Sequence, residues 1–157
     1  MPNLDTNIIH KELDLVQDVI KRMADNSFKV KAWMMSIYGF VVALAKSGLF
    51  AVQPDQSGMP MEYVAVFLFV TVLVFWYLDA FFLRTERLYR ELYKWIVKYR
   101  PLTDKYLYDL NTFVREVNGE KVDMLAKLPS VVGVMFSKTL LPFYFLPLLL
   151  SIVLFFV

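Results

Sequence analysis

The sequence predicts an all-α membrane protein with three transmembrane helices, a cytoplasmic N-terminus and a small, mainly helical cytoplasmic region. Three observations carry this. The 157 residues are 58% hydrophobic, with a mean hydropathy of +0.49, too apolar for a surface that meets water on every side. Three stretches each supply about 20 mostly apolar residues, the length that crosses a hydrocarbon core of about 30 Å. All but one of the Lys and Arg residues fall in segments that would lie on one side of that core.

Residues 1–32 read as a cytoplasmic amphipathic helical arm. Ile9, Leu13, Val16, Ile20 and Met23 recur at steps of four and three and form one stripe. Asp5 or Thr6 suits the N-cap. Glu12, Asp18, Lys21, Arg22 and Asp25 occupy the other face. The stripe packs against the rest of the cytoplasmic region or lies on the membrane surface. Asn26 or Ser27 is the expected break before the first span.

The first span covers 33–52, with Lys46 as its internal charge. A short external loop, 53–62, carries Asp55 and Glu62 but no Lys or Arg. The second span covers 63–83, with Asp79 near its end, and the third covers 139–157, with no charge and with Pro142 and Pro147 inside it. Proline is tolerated in a membrane helix when neighbours satisfy the freed carbonyls. Residues 1–32 hold five Lys and Arg, and residues 84–138 hold eleven. Both segments therefore face the cytoplasm, and the C-terminus emerges outside. The first apolar run begins about 30 residues in and reads as an uncleaved anchor rather than a signal peptide.

Within 84–138, the second helix continues as one long basic helix to Arg100, where Pro101 ends it. Leu88, Leu92, Trp95, Ile96 and Tyr99 form its apolar stripe, and Glu86 and Arg90 sit at the favourable i, i+4 spacing. Two readings compete for 102–130. The favoured one is a helix over 103–117, from the spacing of Tyr106, Leu107, Leu110, Phe113, Val114 and Val117. The other is a hairpin turning at Asn118-Gly119. Pro129-Ser130 opens the last helix.

Two groups of residues are candidates for function. The first is the pair of intramembrane charges, Asp79 and Lys46. A charge at mid-bilayer costs about 2.5–3.5 kcal/mol on insertion scales. At 1.5 Å per residue, Asp79 lies about 7 Å from the inner interface and Lys46 about 9 Å from the outer one. They are too far apart to neutralise each other. Lys46 can snorkel outward or line a pore or interface. Asp79 is short and flanked by Phe75, Trp76, Phe82 and Leu83, so it needs a partner, a wet cavity or a proton. A contact with Lys31 or Lys29 between the first two spans is one answer. A water-exposed carboxylate in an oligomeric channel is the other.

The second group is Arg84, Arg87, Arg90, Lys94 and Lys98, with Trp95 and Tyr89 available for stacking. Ordinary positive-inside anchoring explains these charges. The sharper reading is a surface that receives an anion, whether a lipid headgroup, a nucleotide or an oligonucleotide. Other chemistry is not expected. There are no cysteines for disulfides or thiolates, and one histidine, His10, removes two-His metal sites. No Walker loop, GxGxxG, HExxH or GxSxG occurs, so neither an enzyme nor a cofactor is expected.

Three stretches together carry a resemblance: VIKRMADNSFKVKAW, FWYLDAFFLRTERLYRELY and MFSKTLLPFY. The chain resembles a family of small bacterial inner-membrane proteins, some of them similar in layout to anti-phage defence effectors. The matching residues are Arg22, Asn26, Ser27, Phe28, Lys31 and Trp33; Trp76, Asp79, Arg84, Glu86, Arg87 and Tyr93; and Ser137, Lys138, Pro142 and Tyr144. The resemblance implies a bacterial inner membrane, a homo-oligomer and a channel whose state is set by a nucleotide-type ligand. Symmetric assembly, a tetramer rather than a dimer, would bury isolated internal charges. The first functional expectation is therefore a homo-oligomeric channel or membrane-disrupting effector, gated by a cyclic or linear oligonucleotide. The second is a non-conducting anchor that recruits a cytoplasmic protein partner.

Overall fold

The computed structural model describes residues 6–46, 61–117 and 119–156. Among these the chain is mostly helical. In order it forms α1 (Thr6–Lys46), α2 (Met61–Tyr99), a 3₁₀ turn (Arg100–Leu102), β1 (Arg115–Val117), β2 (Glu120–Val122), α3 (Val131–Met135) and α4 (Leu141–Phe155). α1 and α2 are long and apolar enough to cross a membrane. The external loop expected at 53–62 lies almost wholly outside the described residues. Two compact units are formed: Met1–Asn26 with Phe81–Ser130, here the polar unit, and Ser27–Ala80 with Val131–Val157, here the apolar unit.

α1 does not break at Asn26 or Ser27; its helix runs through both. Neither residue needs to cap an end, because a polar side chain inside a helix can find a partner on a neighbouring one. α2 likewise runs unbroken, and it stops at Tyr99 as Pro101 requires.

In the apolar unit, α2 buries Val64, Leu68, Val72, Trp76 and Ala80, a row at every fourth position. The outward faces are also apolar. Phe67, Val70, Val74 and Tyr77 on α2, Trp33 and Phe40 on α1, and Phe145, Leu149 and Val153 on α4 are all exposed. A helix that is apolar on every side suits a hydrocarbon solvent better than water.

The last helix, expected to open at Pro129-Ser130 and run on through the span at 139–157, is interrupted before that span, most of which is α4. α3 ends at Met135, turns occupy 136–140, and α4 has 15 residues, about 22 Å of helix. The break has a covalent cause. A helix continuing from α3 would need the Pro142 N–H, which does not exist, and would drive its ring against the carbonyl of Lys138. Pro142 instead lies in the first turn of α4, where no N–H is required. The indole N–H of Trp76 donates to the Met135 carbonyl at 3.0 Å and so satisfies the end of α3.

In the polar unit the core consists of Val16, Leu88, Leu92, Trp95, Ile96, Val117 and Met124. The α1 stripe packs here, with Leu13 and Ile20 flanking Val16. Residues 103–117 are not helical. They run as turns and irregular backbone into a hairpin, with β1 antiparallel to β2 and Val117 opposite Glu120. Gly119 has φ +82°, the left-handed conformation that the tight connection needs and that glycine adopts without cost.

Candidate functional site

The Asp79 side chain has no exposed surface and is bound from three directions. Ser27 Oγ donates to Oδ1 at 2.5 Å, and Tyr144 Oη donates to Oδ2 at 2.9 Å. Lys31 Nζ lies 2.8 Å from Oδ1 and 2.6 Å from Oδ2. Ser27 and Lys31 are one turn apart on α1, and Lys31 also donates to Ser27 Oγ at 2.9 Å. Tyr144 comes from α4 and stacks on Trp76, with ring centroids 5.9 Å apart and planes at 11°. One carboxylate thus joins α1, α2 and α4.

The contact with Lys31 is the first of the two arrangements that the sequence allows for Asp79. Among the described residues Asp79 has no exposed side-chain surface, unlike the water-exposed carboxylate of the second arrangement. Ser27 and Tyr144 are partners that depth alone does not identify. The signal for Ser27 was its i, i+4 spacing to Lys31, and Tyr144 had none beyond being polar within an apolar run. The same unit pairs Tyr38 Oη with the Pro147 carbonyl at 3.1 Å and with Ser151 Oγ at 3.3 Å. Lys46 closes α1, and its side chain lies outside the described residues.

The polar unit contains a second buried charge pair, which the sequence did not reveal. Glu12, expected on the solvent face, is fully buried, and so is Arg100. All five N–H donors of Arg100 are engaged. Nε donates to Glu12 Oε2 at 2.5 Å, and Nη2 to Glu12 Oε1 and to the Tyr106 carbonyl at 3.1 Å. Nη1 serves the carbonyls of Thr103 at 3.2 Å and Lys105 at 2.9 Å. Glu12 also accepts the Tyr108 N–H at 3.2 Å.

These contacts explain why 103–117 is not a helix, since the carbonyls a helix would use are held by a guanidinium. Tyr106 and Tyr108 have φ of 63° and 56°, a conformation costing about 1–2 kcal/mol each, and each is tied through its backbone to the Glu12–Arg100 pair.

Arg115, at the start of β1, organises the following segment. Nη2 donates to the carbonyls of Asp109 and Asn111. Its guanidinium carbon lies 4.6 Å from the centre of the Trp95 ring and 5.3 Å from that of Tyr106. Burial pushes the Arg115 guanidinium below the usual arginine range; Asp109 opposes this and Arg100 adds to it.

Of the expected anion-binding residues, Arg90, Lys94 and Lys98 are exposed at four-residue spacing on α2, while Arg84 and Arg87 are half-buried and Trp95 is buried. Arg84 Nε donates to the Pro129 carbonyl at 3.0 Å. Arg90 is paired with Glu86 at 2.6 Å and Lys94 with Glu91 at 2.6 Å. Arg87 is half-buried. Lys98 Nζ lies 4.7 Å over the Tyr99 ring. Trp95 is only 3% exposed and Tyr89 is packed against the core, so neither offers an open face for stacking a base. The physical reason is the stripe spacing: Leu88, Leu92, Trp95 and Ile96 share one helical face, and burial of the indole on that face outweighs exposure.

Comparison with protein families, with curated proteins and with solved structures gives no match.

Proposed function

We propose that the chain is a multi-pass, non-conducting membrane anchor that holds the polar unit on the cytoplasmic side for a protein partner. The carrying observation is the Asp79 carboxylate, enclosed and bonded by Ser27, Lys31 and Tyr144. A buried polar group in an apolar bundle serves as an interhelical contact when all its acceptors are occupied. A pore group would need an open side. The channel reading, with a nucleotide-type ligand acting on a homo-oligomer, takes Asp79 as that pore group and so fits this geometry less well. The N-terminal amphipathic helix is not the docking element in this reading. Its apolar stripe packs in the polar unit, so a partner would meet the outer surface of that unit rather than the stripe.

Three spans follow if α4 and the residues around it cross the remaining thickness. The topology is open to direct measurement because the chain has no cysteine. Single cysteines at Gln56, Asn111 and Phe156 can be labelled in intact cells with a membrane-impermeant maleimide. Labelling at Gln56 and Phe156, with Asn111 reactive only after permeabilisation, is the expected result. Labelling of Phe156→Cys only after permeabilisation would reduce the spans to two.

A further inference from the structure

We propose that the break between α3 and α4 draws an inner-leaflet phospholipid headgroup into the membrane and holds its phosphate at Lys138. The inference rests on the three-span reading above, in which α4 completes the third crossing.

Two separate measures put the break inside the hydrocarbon core. The first runs along α2. Asp79 lies about 7 Å from the inner interface, and Trp76, three residues nearer mid-bilayer, lies about 12 Å from it. The Trp76 indole N–H donates to the Met135 carbonyl at 3.0 Å, so the end of α3 sits near that level. The second measure runs along α4, whose 15 residues span about 22 Å. With its last turn at the outer interface of a core of about 30 Å, Leu141 stands about 8 Å short of the inner one. Residues 136–140 lie between these two ends.

Hydrocarbon cannot serve this segment. Irregular backbone at such depth is tolerated only where it is buried in protein or reached by water. The break is not buried: Phe136, Lys138 and Thr139 are exposed. The N–H groups of Leu140 and Leu141 turn back to the Ser137 carbonyl at 3.2 and 3.0 Å. Those of Lys138 and Thr139 meet no acceptor among the described residues, and the Lys138 ammonium has no hydrogen bond or ion pair there. The Ser137 and Thr139 hydroxyls, 3.2 Å apart, bond to each other. Three consecutive residues thus leave a cation and two backbone donors to the surroundings of the chain.

The bilayer supplies one anionic group that suits this set, the phosphate of a phospholipid. No carboxylate stands in the segment to favour a headgroup amine instead. The shortness of α4 acts in the same direction, since a helix shorter than the core is accommodated by thinning the bilayer around it. Lys138 extends on a four-carbon stem toward the inner surface, so the headgroup need not descend the whole distance.

The test uses the full chain in nanodiscs of phosphatidylcholine and phosphatidylglycerol. A phospholipid with a gadolinium chelate on its headgroup reports headgroup contact through amide relaxation. Relaxation at 137–139 is expected to exceed that at 76–78 at least about tenfold, and to fall severalfold in Lys138→Leu. Nitroxides on Thr139→Cys and on Tyr77→Cys, an exposed α2 position about 10 Å deep, report water through collision with a soluble nickel chelate. Greater collision at 139 than at 77 is expected. Water at 139 without headgroup relaxation would overturn the proposal, as would equal behaviour of the two positions in both readings. Lys138 has no partner to lose, so Lys138→Leu should leave thermal unfolding unchanged. Labelling of Phe156→Cys in intact cells decides the three-span reading separately. If it succeeds while headgroup contact is missing, this proposal alone falls; if it needs permeabilisation, both fall.

Discussion

Replacing Glu12 by alanine is expected to destabilise the polar unit by about 3–5 kcal/mol, the usual consequence of removing one partner of a buried ion pair. A typical domain has only about 5–15 kcal/mol in total, so the unit should lose a large share of its stability. The loss has two sources: Arg100 would be left as an uncompensated buried charge, and the Tyr108 N–H would lose its acceptor. Arg100→Met should cost at least as much, because it also releases the carbonyls of Thr103, Lys105 and Tyr106. Tyr106 and Tyr108 would then relax out of the left-handed region. Hydrogen–deuterium exchange on the full chain separates the two units. Protection should fall across 12–20, 88–99 and the hairpin, while 64–80 keeps its protection. Uniform loss across both units, or no loss in either, would contradict this account of the Glu12–Arg100 pair.

Removal of Asp79 has the second large effect. Interhelical hydrogen bonds within membranes contribute about 0.6–1.7 kcal/mol each, so the three partners of Asp79 together represent roughly 2–5 kcal/mol. Asp79→Ala should lower unfolding stability in detergent by that amount, and Asp79→Asn by less, since the amide keeps its place with Ser27 and Tyr144. The partners are not equivalent. The Lys31 side chain is 28% exposed, whereas that of Asp79 has no exposure. Without Asp79, Lys31 can turn to water; without Lys31, the carboxylate stays enclosed with no counter-charge. Lys31→Ala should therefore destabilise more than Asp79→Asn. The reverse order in denaturant titrations would show that Asp79 is not held as described.

Much of this was legible in the chain because helical periods are simple. The continuity of α2 to Tyr99 followed from the absence of Gly and Pro between 64 and 100 and from Pro101. The Lys31–Asp79 contact followed from depth, because two charges at one level in an apolar bundle have few other solutions. What was not legible depended on distant partners. Glu12 was assigned to the polar face because it is charged and falls between the stripe residues Ile9 and Leu13. The clue was Val16 and Val19, at i+4 and i+7, which place Glu12 at the edge of a buried face. Arg100 beside a proline reads as a helix end, and nothing local shows that it captures the three carbonyls that follow. The helix expected over 103–117 failed for that reason. The unbroken last helix expected from Ser130 failed for a local one, since a helix arriving from α3 would meet Pro142, while the span at 139–157 is largely α4.

The central claim is that the Asp79 carboxylate holds helices together and does not line a pore. Ion flux through liposomes carrying the purified full chain, compared with Asp79→Asn, tests it most directly. The account predicts no flux above empty liposomes for either protein, together with lowered unfolding stability in the variant. Flux in the natural chain that Asp79→Asn abolishes, at unchanged stability, would make Asp79 a pore group and the protein a channel.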